Sequence, residues 1–289
     1  MAKPISAVAA RTPRIRSAGA SGLLIALLSS SVFGLSGSFA KSLMEAGWTP
    51  ATAVAVRMGG AAAVLLIPAL IALHGRWYQV RQNWKTIGLF GLVGVAGCQF
   101  LYFNAVERLS VGVALLLEFL APVLMVLWIW LRTRRRPGAA TIAGAAAAVV
   151  GLILVLDLGG DLRVDPLGIM WGLAAAVCLA MYFFITAKQN DTLPPLVLTT
   201  GGLLVGAATM VLLGLTGLLP VGFSTDDVEL AGWVTRWWVP LVGLVLLSTV
   251  LAYVTGIIAA RALGPRVASF ISLTEVLFAV LWAWLLLSE

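Results

Sequence analysis

The strongest constraint in this sequence is a recurring pattern of solid apolar blocks, each about as long as a bilayer is thick. A helix rising about 1.5 Å per residue needs about twenty residues to cross the hydrocarbon core. Nine such segments can be read, at 20–41, 51–73, 86–106, 110–131, 139–157, 166–187, 195–218, 238–260 and 266–287, numbered 1 to 9 in that order. A membrane barrel would instead show stretches of about ten residues alternating in polarity. With 61% hydrophobic and 11% charged residues over 289 positions, a water-soluble chain could not hide this much apolar surface. The sequence therefore predicts an all-α polytopic membrane protein in contact with a lipid bilayer. Pro50, Pro137, Pro166, Pro194, Pro195 and Pro265 stand at segment starts or in connections, where a missing N–H costs little.

The cations give an orientation. Alternate connections divide the nineteen lysines and arginines into fourteen on the side of the N-terminal tail and four on the other (Lys41, Arg108, Arg163 and Arg236), with Arg57 inside a span. Basic residues accumulate in short cytoplasmic loops, so the N-terminus is expected in the cytoplasm. That distribution also accounts for the net charge of +7 without a nucleic-acid partner, for which the clustered basic face is missing. The basic tail with the first segment could be a cleaved signal peptide, but its apolar part exceeds the usual core of about 7–15 residues, so a signal anchor is the better reading. Cys98 and Cys178 lie inside spans and read as small apolar fillers, suited neither to a disulfide framework nor to a metal site. No cofactor is called for.

Residues 104–131 align with 258–285 at an offset of 154, with nine of 28 positions identical and a shared V-L-W-x-W-L ending. Trp84 meets Trp238 at the same offset, and "FAK" at 39–41 resembles "TAK" at 186–188. The overlays pair helix 1 with 6, 3 with 8 and 4 with 9, so the repeat unit is five helices. Because five is odd, the second unit enters from the opposite face: an inverted repeat, the plan of many secondary transporters, with binding near the midplane. The predicted organisation is a basic tail over 1–19, a first repeat over 20–157 and a second over 166–289. A tenth helix, partner of helix 5, would begin where the sequence stops, so the chain is expected to be a truncated form or to lack that helix.

Glu118 sits in the apolar run "VALLLEFLAPVLMVLWIWL". A charged residue at the centre of a span costs about 2.5–3.5 kcal/mol on insertion scales, so it faces a cavity or a partner rather than lipid. Pro122, four residues on, cannot donate to the Glu118 carbonyl, and the resulting helix break offers a carboxylate beside a freed backbone acceptor. Such a spot suits an ammonium group or a proton; the plainer alternative is a neutral glutamate that fixes packing. Subtracting the repeat offset puts Glu275 at position 121, one turn from Glu118, so both carboxylates are expected on one cavity; for Glu275 the plainer reading is a bond to Thr274. Arg57 either snorkels to an interface or pairs with a carboxylate, including one on a substrate. Gln99, Tyr102 and Asn104 in helix 3, Tyr182 in helix 6 and Tyr253 in helix 8 each bring a hydrogen-bonding group into an apolar span and are candidates as a converging set. Lys41 reads as an interface anchor, Gly88, Gly91, Gly94 and Gly97 as a close-packing stripe, Trp48, Trp84, Trp237 and Trp238 as interfacial belts, and Trp171 as a candidate cavity wall.

"AVRMGGAAAVLL" (55–66), "FLYFNAVERLSVGVALLLEFLAPV" (100–123) and "LLSTVLAYVTGIIAARALGPRVASFISLTEV" (246–276) resemble the drug/metabolite transporter superfamily, EamA type, and within it bacterial threonine/homoserine exporters. The likeness covers nearly all of residues 20–289. Its pattern expects proline after the glutamate of helix 9, where this chain has Val276. The resemblance implies a ten-helix inner-membrane exporter of amino acids or related small metabolites, with a central cavity lined by helices 1, 3, 4, 6, 8 and 9. Partners are then a small-molecule substrate, the proton as a candidate coupling ion, and a second copy of the chain in a homodimer left open. The rival within transport is a drug or nucleotide-sugar carrier of the same superfamily. The rival of another class, an intramembrane enzyme, would need a catalytic constellation at membrane depth. The lone His74 at a loop edge and the absence of zinc spacing, a phosphate loop or a Ser/His pairing speak against it.

Overall fold

The computed structural model describes residues 15–134, 136–157, 165–187 and 193–289. Among them, eight helices are long and apolar enough to cross a membrane, and the fifth segment forms a further apolar helix, Ala139–Asp157. Helix 1 spans Ile15–Glu45, helix 2 Pro50–Leu73, helix 3 Trp84–Val106, helix 4 Val111–Thr133, helix 6 Pro166–Ala187, helix 7 Pro195–Leu215 and helix 8 Trp238–Leu263. Helix 9 comprises Pro265–Ser272 and Thr274–Leu287. Helix 1 starts inside the expected tail; the basic residues before it, with Arg163 and Lys188, lie outside the described residues.

Local chemistry sets the ends. Helix 2 begins on Thr49, whose hydroxyl accepts the Thr52 N–H, with Pro50 at the first position. Ser110 caps helix 4 in the same way through the Val113 N–H. Helix 6 starts on Asp165, whose carboxylate accepts the Leu167 N–H at 2.8 Å and pairs with Arg108 at 2.9 Å. The Arg108 hydrogen bond first, and the Leu167 N–H next, hold the Asp165 carboxyl below its usual range.

The packing carries the repeat. Helix 1 lies against helices 8 and 9, and helix 6 lies against helices 3 and 4. Helix 2 lies against 7 and 8, and helix 7 against 2 and 3. Each inter-unit contact thus returns when every helix is exchanged for its partner five further along or back. Helix 5 makes its main contacts with helix 4 and is largely exposed over residues 139–150. The glycines of helix 3 act as the stripe predicts: a Cβ at Gly91 would meet the Gly202 carbonyl at 2.7 Å, and one at Gly94 would meet Tyr182 at 3.1 Å, whereas Gly88 faces open space.

The repeat also governs irregularities. Helix 3 widens into a π-helical stretch at Phe90–Gly97 and helix 8 at Gly243–Leu251, positions that coincide within one residue at the offset of 154. Helix 4 breaks at Phe119 and Leu120, and helix 9 at Leu273. Such departures from regular backbone survive at membrane depth only where protein or a cavity satisfies the freed groups.

One element lies outside the sequence-based expectations. The connection before helix 8 contains an antiparallel hairpin, Val228–Leu230 with Trp233–Thr235, turned by Ala231 and Gly232 at φ 56° and 73°. The Ala231 N–H donates to Leu286 of helix 9 at 2.7 Å. Trp48, expected in an interfacial belt, is instead buried against Trp237, its indole N–H donating to the Ser224 carbonyl at 2.8 Å. Trp84 and Trp238 are exposed as belt residues would be.

Candidate functional site

Both irregular helix pairs converge on one cavity of about 500 Å³. Its wall draws on helices 1, 3, 4, 6, 8 and 9, as expected, and also on helix 7, through Pro195, Leu198 and Thr199. A larger groove of about 760 Å³ runs along the flank of helices 3, 4 and 6, but apart from Lys85 and Thr86 its lining is apolar and it holds no carboxylate. The smaller, polar cavity is therefore the candidate site.

Of the residues singled out from sequence, Glu118, Gln99, Tyr182, Tyr253 and Glu275 line this cavity. Glu118 ends the first half of helix 4 and is 6% exposed; the Cys98 thiol donates to its Oε1 at 3.1 Å. Pro122 opens the second half of the helix, so no N–H from that position competes for the Glu118 carbonyl. Glu275 enters from helix 9 just past its break, half-buried. Tyr182 packs on Phe90 with ring centroids 5.3 Å apart, and Tyr253 sits edge-on to Phe33 at 5.1 Å. Gln99 and Tyr253 are repeat equivalents, each just past its helix's π-helical stretch.

The other candidates lie off the cavity. Thr274 donates to the Ile271 carbonyl at 2.6 Å rather than to Glu275. Asn104 donates to the Phe100 carbonyl of its own helix at 2.7 Å, and Tyr102 is buried beside Gly37 of helix 1. Trp171 packs on Phe100 and does not reach the cavity. Lys41 pairs with the Glu289 carboxylate and donates to the Leu109 carbonyl at 3.2 Å. Arg57 neither snorkels nor pairs with a carboxylate among the described residues: it is 2% exposed and its partners are neutral. Its Nε donates to Thr249 Oγ1 at 2.7 Å, its Nη1 to Ser36 Oγ at 2.7 Å and to Gln99 Oε1, and its Nη2 to the Ser248 carbonyl at 3.2 Å. The Phe103 ring lies 5.6 Å from its centre.

Sequence reasoning missed the hydroxyls and Cys98. Ser29 donates to the Ala252 carbonyl at 2.8 Å, and Ser30 donates to the Ile271 carbonyl at 3.3 Å, where helix 9 loosens. Ser248 and Thr249 both donate to the Leu244 carbonyl inside the π-helical stretch of helix 8. The run Ser29-Ser30-Ser31 inside an apolar span was a readable signal; nothing in the sequence links Cys98 to Glu118. Among the described residues no cluster of His, Cys, Asp and Glu is arranged to hold a metal.

A cavity between paired, interrupted helices of two repeat units, with five helices described in the first and four in the second, is the architecture of a membrane carrier. The sequence matches the EamA-like transporter family over residues 20–157 and 166–289, and the chain belongs to that family. It is thus a multi-pass membrane protein of a transporter family. Among curated relatives, "Uncharacterized inner membrane transporter YicL" of Salmonella typhimurium is 25% identical over 60% of this chain and 60% of its own length. "Uncharacterized transporter YyaM" of Bacillus subtilis is 25% identical over 64% and 62%. "Threonine/homoserine exporter RhtA" of Salmonella typhimurium is 26% identical over 84% and 76%. The chain thus spans about three-fifths of the length of the first two. A protein of known crystal structure, 23% identical, superposes with a TM-score of 0.62 over 91% of this chain and 86% of that one, which establishes the shared fold.

Proposed function

We propose that this protein exports threonine- or homoserine-like amino acids, or related small zwitterionic metabolites, across the inner membrane by alternating access, with its N-terminus in the cytoplasm. The carrying observation is that Glu118 and Glu275, one from each repeat, line a single cavity beside interrupted helices. In this reading the units 20–157 and 166–289 are inverted relative to each other and rock about that cavity, and the tail over 1–19 stays cytoplasmic. Two carboxylates give an ammonium group a place to dock and a proton a place to exchange; Tyr182, Tyr253 and Gln99 supply neutral hydrogen bonds around it. The similarity to a threonine/homoserine exporter supports the substrate class. The volume falls in the range of small-molecule sites, about 300–1,000 Å³.

The test is counterflow of radiolabelled threonine in proteoliposomes. The wild-type chain is expected to exchange it and Glu118→Gln to be inserted and folded but inactive. Normal counterflow by that variant would remove Glu118 from the mechanism. Binding of aromatic cations or nucleotide sugars, with none of amino acids, would transfer the protein to the rival carrier class. A protonophore added to an efflux assay in cells reads the coupling: proton exchange predicts that efflux collapses.

A further inference from the structure

We infer that the Gln99 amide is the cavity's reader of a substrate carboxylate, held in that orientation by Arg57. The inference rests on the amino-acid reading above and adds to it the site's polarity: an acidic side for the ammonium group and an amide side for the carboxylate.

A guanidinium carries five N–H donors and no acceptor. An amide's oxygen and nitrogen are ordinarily interchangeable in a structure and are assigned from their partners. Here the partner decides: because Arg57 can only donate, the Gln99 atom it holds is the oxygen. The Gln99 Nε2, with two N–H groups, is left without a partner among the described residues, on a side chain that lines the cavity. Cys98, the preceding residue, donates to Glu118 on the same wall, so consecutive positions of helix 3 address the anion-binding and the cation-binding groups.

Arg57 itself does not line the cavity. It stands behind Gln99, enclosed by Ser36, Thr249, the Ser248 carbonyl and the Phe103 ring, with no carboxylate within 4 Å among the described residues. Its charge is thus solvated by dipoles rather than neutralised by an anion, and it polarises the amide so that the NH₂ end is a stronger donor toward the cavity. Arg57 is a positioning residue and Gln99 the contact residue. A ligand bearing both an ammonium and a carboxylate group complements the two sides; an ester of the same amino acid complements only one.

Binding of threonine and of threonine methyl ester to the purified full chain tests this. The wild-type protein is expected to favour threonine by about tenfold or more, the usual worth of a charge-assisted hydrogen bond. Gln99→Met removes the donors at similar volume and is expected to bring acid and ester to within about threefold of each other. Gln99→Glu keeps the partner of Arg57 but presents only acceptors, and is expected to reverse the preference. A merely structural Gln99 would weaken both ligands together and leave their ratio at the wild-type value, and that result overturns the inference. Equal wild-type affinity for acid and ester overturns it too, without needing a variant, while leaving the amino-acid reading intact. If the wild-type chain binds neither, the amino-acid reading fails and this inference falls with it.

Discussion

Helices 4 and 9 are repeat equivalents, and both are interrupted at the cavity, yet they break for different reasons. In helix 4 the interruption is enforced by covalent structure: Pro122 has no N–H, so the carbonyl one turn earlier cannot be satisfied from that position, and Phe119 and Leu120 form a turn. In helix 9 the equivalent residue is Val276, whose N–H donates to the Leu273 carbonyl at 3.4 Å. There the loosened backbone is satisfied by hydroxyls: the Ile271 carbonyl accepts from Thr274 at 2.6 Å and from Ser30 of helix 1 at 3.3 Å. One break is built into its own segment, and the other depends on a neighbouring helix. The same cavity geometry can thus be reached through an imino acid or through a pair of side-chain donors.

The largest effect is expected at the carboxylates. Glu275→Gln should reduce threonine counterflow as severely as Glu118→Gln, by about tenfold to a hundredfold if each carboxylate contributes a charge-assisted contact of about 1.5–3 kcal/mol. A variant of Glu275 with wild-type counterflow would make the two sides unequal in function as well as in construction. Next, Ser30→Ala combined with Thr274→Val strips both donors from the Ile271 carbonyl. The expected loss is about 1–3 kcal/mol of stability, seen as a lower melting temperature in detergent, and a larger loss for the pair than for either alone. Equal melting curves would show that the second break does not depend on helix 1. Pro122→Ala should cost little stability but restore an N–H that can reach the Glu118 carbonyl, extending helix 4 through the turn and slowing transport by turning Glu118 from the cavity; unchanged transport would count against the proline's role. Val276→Pro, which copies the first break into the second, should be the mildest of the helix variants, since the Val276 hydrogen bond to Leu273 is a long one. Smallest of all is Asp165→Asn at the surface. Because the folded carboxyl titrates below its ordinary value, its contribution is present above the usual carboxylate range and fades as pH falls through the lowered one. Thermal unfolding followed from neutral to acid pH should lose a little of its slope in that variant, and no more, since the Arg108 pair is solvent-screened.

How much of this was legible beforehand follows from the kind of interaction. The spans were readable because every backbone group in a lipid environment must be satisfied within its own helix, which forces long apolar blocks whatever the neighbours are. The repeat was readable because Val126–Trp128 and Val280–Trp282 preserve the same local pattern. Glu118 and Glu275 stood out because a carboxylate in such a block has few harmless explanations. Arg57 stood out equally, but its role was not readable: the choice between snorkelling and burial depends on Ser36, Gln99 and Thr249, which belong to three other helices. The same limit applies to Cys98, which looked like a filler until Glu118 was placed beside it, and to Asn104 and Thr274, whose groups are consumed by carbonyls of their own helices.

By itself, the sequence determined what is local or additive: nine apolar segments, the internal repeat, the sites of irregular backbone marked by proline, and the presence of acids that lipid will not accept. Only the tertiary structure decided which polar groups face the cavity and which are spent on each other. Hydrophobic burial is non-directional and summed along a segment, so it is visible in a one-dimensional pattern. Hydrogen bonds are directional and pairwise, and between helices far apart in the chain their partners exist only once the helices are packed.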